Sequence, residues 1–181
     1  MYPLIIILGI VIILFILLYY SLVYIANQCD EARSNIETEL NRRYVLIPNL
    51  VAVVKGYVSH EKYLLEQLVR LREKAYDNQN SPLSPADEAE FSRSLNRMMV
   101  RLEAYPNLKS NQNFRDLQSE LANTEDRIQA ALRFYNCNVR RINSAIEQFP
   151  SNIVAGLFGF EKREFFILQD TAARLPPTIR F

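Results

Sequence analysis

From Leu4 to Ala26 the chain runs 23 residues that are almost all aliphatic or aromatic, and no charged side chain appears before Asp30. As an α-helix such a run is about 34 Å long, enough to cross a hydrocarbon core of ~30 Å. It lacks the basic start, the shorter apolar stretch and the small-residue cleavage site of a signal peptide. Ile-Ala-Asn-Gln before Cys29 is also not the small-residue context that lipidation of a cysteine requires. Tyr19, Tyr20 and Tyr24 fall where an interfacial aromatic belt would fall. The sequence therefore predicts a single uncleaved transmembrane anchor over residues 1–28, in a cell (inner) membrane. Arg33, Arg42 and Arg43 follow the anchor, with only the α-amino group on its other flank, which favours a cytoplasmic domain over an external one.

Beyond the anchor the charges nearly cancel, with 21 basic against 20 acidic side chains. Nucleic acid, which is bound by neutralising phosphates, is an unsuitable partner for such a surface. With 4 glycines and no tryptophan, and with Leu, Asn, Arg, Glu and Ala plentiful, the composition suits long helices rather than sheets. Cys29 and Cys137 are too few for a disulfide framework or a four-ligand zinc site, and read as small packed hydrophobes.

Apolar residues then recur at steps of three and four. Ile25, Cys29, Ala32, Ile36, Leu40, Ile47, Leu50, Val51, Val54 and Val58 form one stripe, broken only at Arg43 and Tyr44, and its phase continues through Leu64, Leu68, Leu71 and Ala75. That continuity predicts one long helix kinked at Pro48 and Gly56. DNQNSPLSP (77–85) reads as a loop, followed by a helix with Ser84 as N-cap, Pro85 in the first turn, and Asp87 and Glu88 near the positive end of its dipole. Phe91, Leu95, Met98, Leu102 and Tyr105 mark its apolar face, and Pro106 stops it. PNLKSN is a short loop. A third helix keeps one face from Phe114 to Phe149, and NIVAGLFGFEKREFFIL holds a turn and a short fourth helix packed across the bundle. The fold class is all-α: an N-terminal transmembrane helix continuing into an antiparallel bundle of three long helices plus a short C-terminal helix. The bundle domain is expected over 29–175, and 176–181 as an extended tail. The same stripes could also be continued between molecules.

His60-Glu61 invites comparison with the HExxH zinc helix, but position 64 is Leu64 and the chain has no second histidine. No serine sits in a nucleophile elbow, and Gly56, Gly156 and Gly159 do not form a phosphate loop. No catalytic residue, metal ligand or cofactor is indicated. What stands out is polarity on the packing faces. Arg43 and Glu61 share the phase of the first stripe, and Thr124 and Asn138 share or flank that of the third. Such groups must pair across helices to fix register, or line a docking surface.

The segments RRYVLIPNLVAVVKGYVSHE, YPNLKSNQNFRDLQSELANTEDRI, RFYNCNVRRINSAIEQFPSNIVAGLFGF and KREFF resemble, in order and spacing, the bacterial LemA family over residues 24–166. The resemblance implies a membrane anchor followed by a long-helix bundle, with no established enzymatic activity and a branch associated with magnetosomes. Some relatives resemble lipoproteins with an external domain, whereas the context of Cys29 places this chain with the anchored ones. By matching position, a packing or docking network is implied over Arg43, Asn49, Lys55, His60, Glu61, Tyr105, Lys109, Asn111, Thr124, Glu125, Tyr135, Asn136 and Asn143. The expected role is a non-enzymatic membrane-anchored scaffold or adaptor. Its expected partners are the membrane and further copies of itself or another membrane protein, such as a membrane protease. The alternatives are a membrane-shaping or lipid-sensing protein using LFGFEKREFF, and a hydrolase or ligand-binding domain using His60 and Glu61.

Overall fold

The computed structural model describes residues 2–58, 62–80 and 84–167. His60, Glu61 and the predicted tail 176–181 lie outside the described residues. The described residues form six helices and no strand: α1 (Tyr2–Lys55), α2 (Lys62–Asn80), α3 (Pro85–Leu102), α4 (Pro106–Lys109), α5 (Gln112–Glu147) and α6 (Ser151–Phe158). The all-α class follows directly. The residues group into two compact units, one from Met1–Ile36 with Gln129–Phe166 and a second built on Glu37–Ile128.

Two helices show a buried position every seven residues. Along α1 these are Leu22, Cys29, Ile36, Arg43 and Leu50, and along α5 Phe114, Leu121, Ile128, Tyr135 and Ile142. A strict step of seven keeps side chains on one slowly turning face, so each helix has a single long seam to bury. Pro48 sits inside α1 without ending it. An interior proline costs about 3 kcal/mol because it removes one backbone hydrogen bond and crowds the preceding turn. Here the neighbouring Ile47, Leu50 and Val51 are buried and Pro48 faces outward, so the packed seam holds the helix through it.

The expectation of one helix reaching Ala75 needs correction. α1 stops at Lys55, the Tyr57 and Val58 N–H groups both return to the Val54 carbonyl (2.9 and 3.1 Å), and α2 starts afresh at Lys62. Val58, Leu64, Leu68, Leu71 and Ala75 nonetheless all stay buried. Periodicity reports which face is buried, and that face persisted across a break in the backbone. Gly56 supplies the weak point, since glycine in a helix costs about 1 kcal/mol against alanine.

In the second unit, α3 starts as the sequence predicts. Ser84 is extended before Pro85, and Asp87 and Glu88 occupy the first turn, although the Ser84 side chain makes no capping bond. α2 packs against α3. The PNLK stretch, expected as loop, is the single turn α4, which buries Leu108. Asn111 then caps α5, its Oδ1 accepting the Phe114 N–H at 3.0 Å.

In the first unit, α6 buries Val154 and Ala155. It meets the N-terminal part of α1, where the Phe158 ring packs on Tyr19 and Phe15 with centroids 4.5 and 6.1 Å apart. Gly159 closes α6 in the left-handed region (φ 70°), and the Phe160 N–H returns to the Ala155 carbonyl at 3.0 Å. A side chain at that φ would be strained, so glycine is the fitting residue there.

Candidate functional site

Polar side chains converge at two places, one in each unit. In the second unit the gap in the α1 stripe is the centre of the first cluster. Arg43 and Glu88 are 1% and 0% exposed, and the guanidinium pairs with the Glu88 carboxylate through Nη2. Its Nη1 donates to Ser92 Oγ (2.9 Å) on α3 and to Glu125 Oε2 (2.8 Å) on α5. The guanidinium carbon lies 5.0 Å from the centre of the Phe91 ring, and Tyr44 meets that ring edge-on at 5.2 Å. The Tyr44 hydroxyl donates to the other Glu88 oxygen and takes a hydrogen bond from Asn78. One arginine thereby ties α1, α3 and α5 together.

Its electrostatics follow from burial. Loss of water pulls the Arg43 guanidinium below its ordinary value, opposed first by Glu125. An arginine does not lose its proton under ordinary conditions, so the charge persists and must be matched. Burial likewise pushes the Tyr44 phenol up, against the Asn78 hydrogen bond and the Arg43 charge. Arg43 Nε–H donates to no acceptor among the described residues, whereas Nη2 is held by Glu88. Beside Glu125 the surface has an open depression of about 340 Å³ between α3 and α5, lined by Leu95, Met99, Leu121 and Ala122. Arg43 and Glu88 themselves are sealed, with no room for a substrate.

In the first unit the cluster grips a backbone. Asn143 donates to the Arg163 carbonyl (2.9 Å) and accepts the Arg163 N–H (2.8 Å). Asn136 does the same with Phe166, at 2.9 Å for both bonds. Seven residues of α5 separate the asparagines, about 10.5 Å at 1.5 Å per residue. Three extended residues separate Arg163 from Phe166, about 10 Å at 3.3 Å per residue. The match lets two amide side chains act as a strand edge for residues 160–167. Tyr135 donates its hydroxyl to the Glu164 carbonyl (3.1 Å), and Arg163 forms an ion pair with Asp30 of α1 (2.8 Å). Burial raises the Tyr135 phenol, and it also raises the Cys29 thiol, opposed first by the Arg163 charge.

The residues marked in the sequence thus separate. Arg43 and Glu125 meet in the first cluster, and Tyr135, Asn136 and Asn143 meet in the second. Thr124 is buried and donates to the Glu120 carbonyl at 2.8 Å, a bond within its own helix. Asn111 donates to the Tyr57 hydroxyl (2.7 Å), joining the turn after α1 to the start of α5. Tyr105 precedes α4, and Asn49, Lys55 and Lys109 lie exposed. Sequence reasoning missed Glu88, Tyr44 and Ser92. A signal was present: Glu88, Phe91, Leu95, Met98 and Leu102 share one helical phase, so Glu88 lay on the apolar face and called for a cation. Among the described residues no three His, Cys, Asp or Glu side chains gather as a metal site.

A family model described as the LemA family matches residues 32–181. The chain is 24% identical to the magnetosome protein MamQ of Magnetospirillum gryphiswaldense, over 82% of this chain and 64% of that protein. Magnetosome protein MamQ 1 of Paramagnetospirillum magneticum gives the same identity and coverage. Protein LemA of Metamycoplasma hominis is 26% identical over 71% of this chain and 59% of that protein. The chain therefore spans less than two thirds of the length of these relatives.

Three measurements test the clusters. Arg43→Met strands the Glu88 carboxylate and should cost about 3–5 kcal/mol in urea unfolding of the detergent-solubilised protein, and Glu88→Leu, which leaves the guanidinium with Glu125 as its remaining anion, should cost less. The double variant should recover most of that loss, and additive losses would show that the pair is not coupled. Asn136→Ala should speed hydrogen exchange at the Phe166 amide, and Asn143→Ala at the Arg163 amide, each by about tenfold. With Tyr44 and Tyr135 held neutral above the ordinary phenol value of 10.0, their contribution is complete below that pH. It is lost as pH rises toward the folded values, because the unfolded phenols ionise first. The unfolding midpoint should fall above pH 10, and should fall less when both residues are changed to Phe.

Proposed function

This chain belongs to the LemA family, and we propose that it works as a non-enzymatic, membrane-anchored helical scaffold or adaptor. In this reading α1 makes a single pass through the inner membrane, with the rest of the chain on the cytoplasmic side. It assembles with further copies of itself or docks another membrane protein, such as a membrane protease. The apolar part of α1 is the one helix among the described residues long and apolar enough to cross a membrane, and its apolar window is 0% buried. The magnetosome and LemA relatives agree with a membrane-associated helical protein.

The observation that carries the reading is the closure of the Arg43 cluster. Among the described residues, Arg43 and Glu88 are buried and engaged with one another, and the matched asparagines hold the chain's own backbone. Exposed faces are what this reading works through. Val45 on α1, Tyr63 on α2 and Val100 on α3 are 58%, 57% and 68% exposed. Confinement to a membrane raises the effective concentration of such faces, so weak contacts can suffice.

A photo-crosslinking residue placed in turn at Val45, Tyr63 and Val100 in living cells tests the proposal. Discrete adducts that contain a second copy, or one defined membrane protein, are expected. Monomer alone from every position would overturn it.

A further inference from the structure

We infer that α6 is a second membrane contact, lying at the acyl–headgroup boundary of the bilayer that α1 crosses, with Phe149, Ile153, Leu157 and Phe158 turned to lipid. The inference rests on the reading of α1 as a membrane anchor, and depth is its first support. Counted from Leu4, a helix needs about 20 residues to cross a ~30 Å hydrocarbon core, which carries it to about residue 23. Phe15 and Tyr19 lie inside that stretch, and the Phe158 ring sits on both, at 6.1 and 4.5 Å between centroids. Phe160 also meets Tyr19, at 6.2 Å. Whatever touches these residues shares their depth.

Polarity supports the same placement. No charged side chain occurs between Glu147 and Glu161. Just outside that window Lys162 pairs with Glu147 (2.5 Å), and Arg163 pairs with Asp30 (2.8 Å). Asp30 stands eleven residues beyond Tyr19, about 17 Å toward water along α1. Apolar residues of the two segments therefore meet at the level of Tyr19, and charges meet at the level of Asp30. Tyr19, Tyr20 and Tyr24 mark the boundary between these levels.

The outer face of α6 has the composition that lipid covers. Ile153 and Leu157, spaced four apart, are 52% and 69% exposed and Phe158 is 54% exposed, while Val154 and Ala155 face protein. Phe149, in the turn that leads into α6, is 80% exposed. Part of its backbone ends is engaged as well. The Asn152 and Ile153 N–H groups reach the Gln148 and Pro150 carbonyls (2.8 and 3.3 Å), and the Gly159 and Phe160 N–H groups both return to the Ala155 carbonyl. An apolar helix lying at the headgroup level buries one face in the acyl boundary and leaves its remaining end groups within reach of water.

The chain contains no tryptophan, so a single introduced one reports its own surroundings. Leu157→Trp, Ile12→Trp and Val100→Trp place it on α6, in the anchor and on α3. Each full-length variant is reconstituted in phosphatidylethanolamine–phosphatidylglycerol vesicles containing a lipid brominated high on its acyl chain. Leu157→Trp should emit in the blue and lose about half its emission to bromine, as expected of a side chain ~5–10 Å into the boundary. Ile12→Trp should be quenched and Val100→Trp unaffected. Red, bromine-insensitive emission from Leu157→Trp beside a quenched Ile12→Trp would overturn the inference and leave the anchor standing. Blue emission without quenching would mean that protein, such as a second copy, covers α6, which also overturns it. Quenching of neither would overturn the anchor with it.

Discussion

A charge buried on an otherwise apolar seam constrains the second unit more than any other contact. Leu22, Cys29, Ile36 and Leu50 share the seven-residue series with Arg43, and as packed hydrophobes they could exchange neighbours at modest cost. Arg43 cannot. Taken out of water, it needs the Glu88 carboxylate, and another register would strand both charges in the core. Ser92, Glu125 and the Phe91 ring complete its surroundings, so one side chain sets α1 against α3 and α5. Replacing the pair by apolar residues of similar volume can leave stability unchanged. The pair is therefore better understood as a choice of arrangement than as a source of strength.

The first unit achieves order by a different device. An extended segment beside a helix has backbone groups with no natural ladder to join. Asn136 and Asn143 provide one because two helical turns and three extended residues cover nearly the same distance. Asp30 then fixes Arg163 from α1. Arg43, Glu125, Tyr135, Asn136 and Asn143 thus have internal partners, whereas Asn49, Lys55 and Lys109 lie exposed. α6 has an exposed face too, and its contact with Phe15 and Tyr19 ties it to the apolar end of α1.

Much of this was legible. The long apolar first helix, the start of α3, the long α5 and a short helix within NIVAGLFGFEKREFFIL all follow from apolar period and Ser84-Pro85. The buried Arg43 and Thr124 were readable as polar groups in phase with apolar ones. The break after Lys55 was not, because the buried face continues across it and periodicity carries no record of backbone continuity. Glu88 was read as a complement to the helix dipole, a role its position in the first turn also satisfies. Only its partner reveals the second role.

By itself, then, the sequence determined what each segment must avoid. The apolar run from Leu4 to Ala26 favours a cover other than water, the stripes must be covered, and polar groups within the stripes must be matched. Those are solvation requirements, and solvation is local to a residue and its near neighbours in the chain. Which group matches which was decided only by tertiary structure. Arg43 and Glu88 are 45 positions apart, and Asn143 and Arg163 are 20 apart. Pairing at such separations depends on where whole helices come to rest, and that is settled by the packing of all their faces at once.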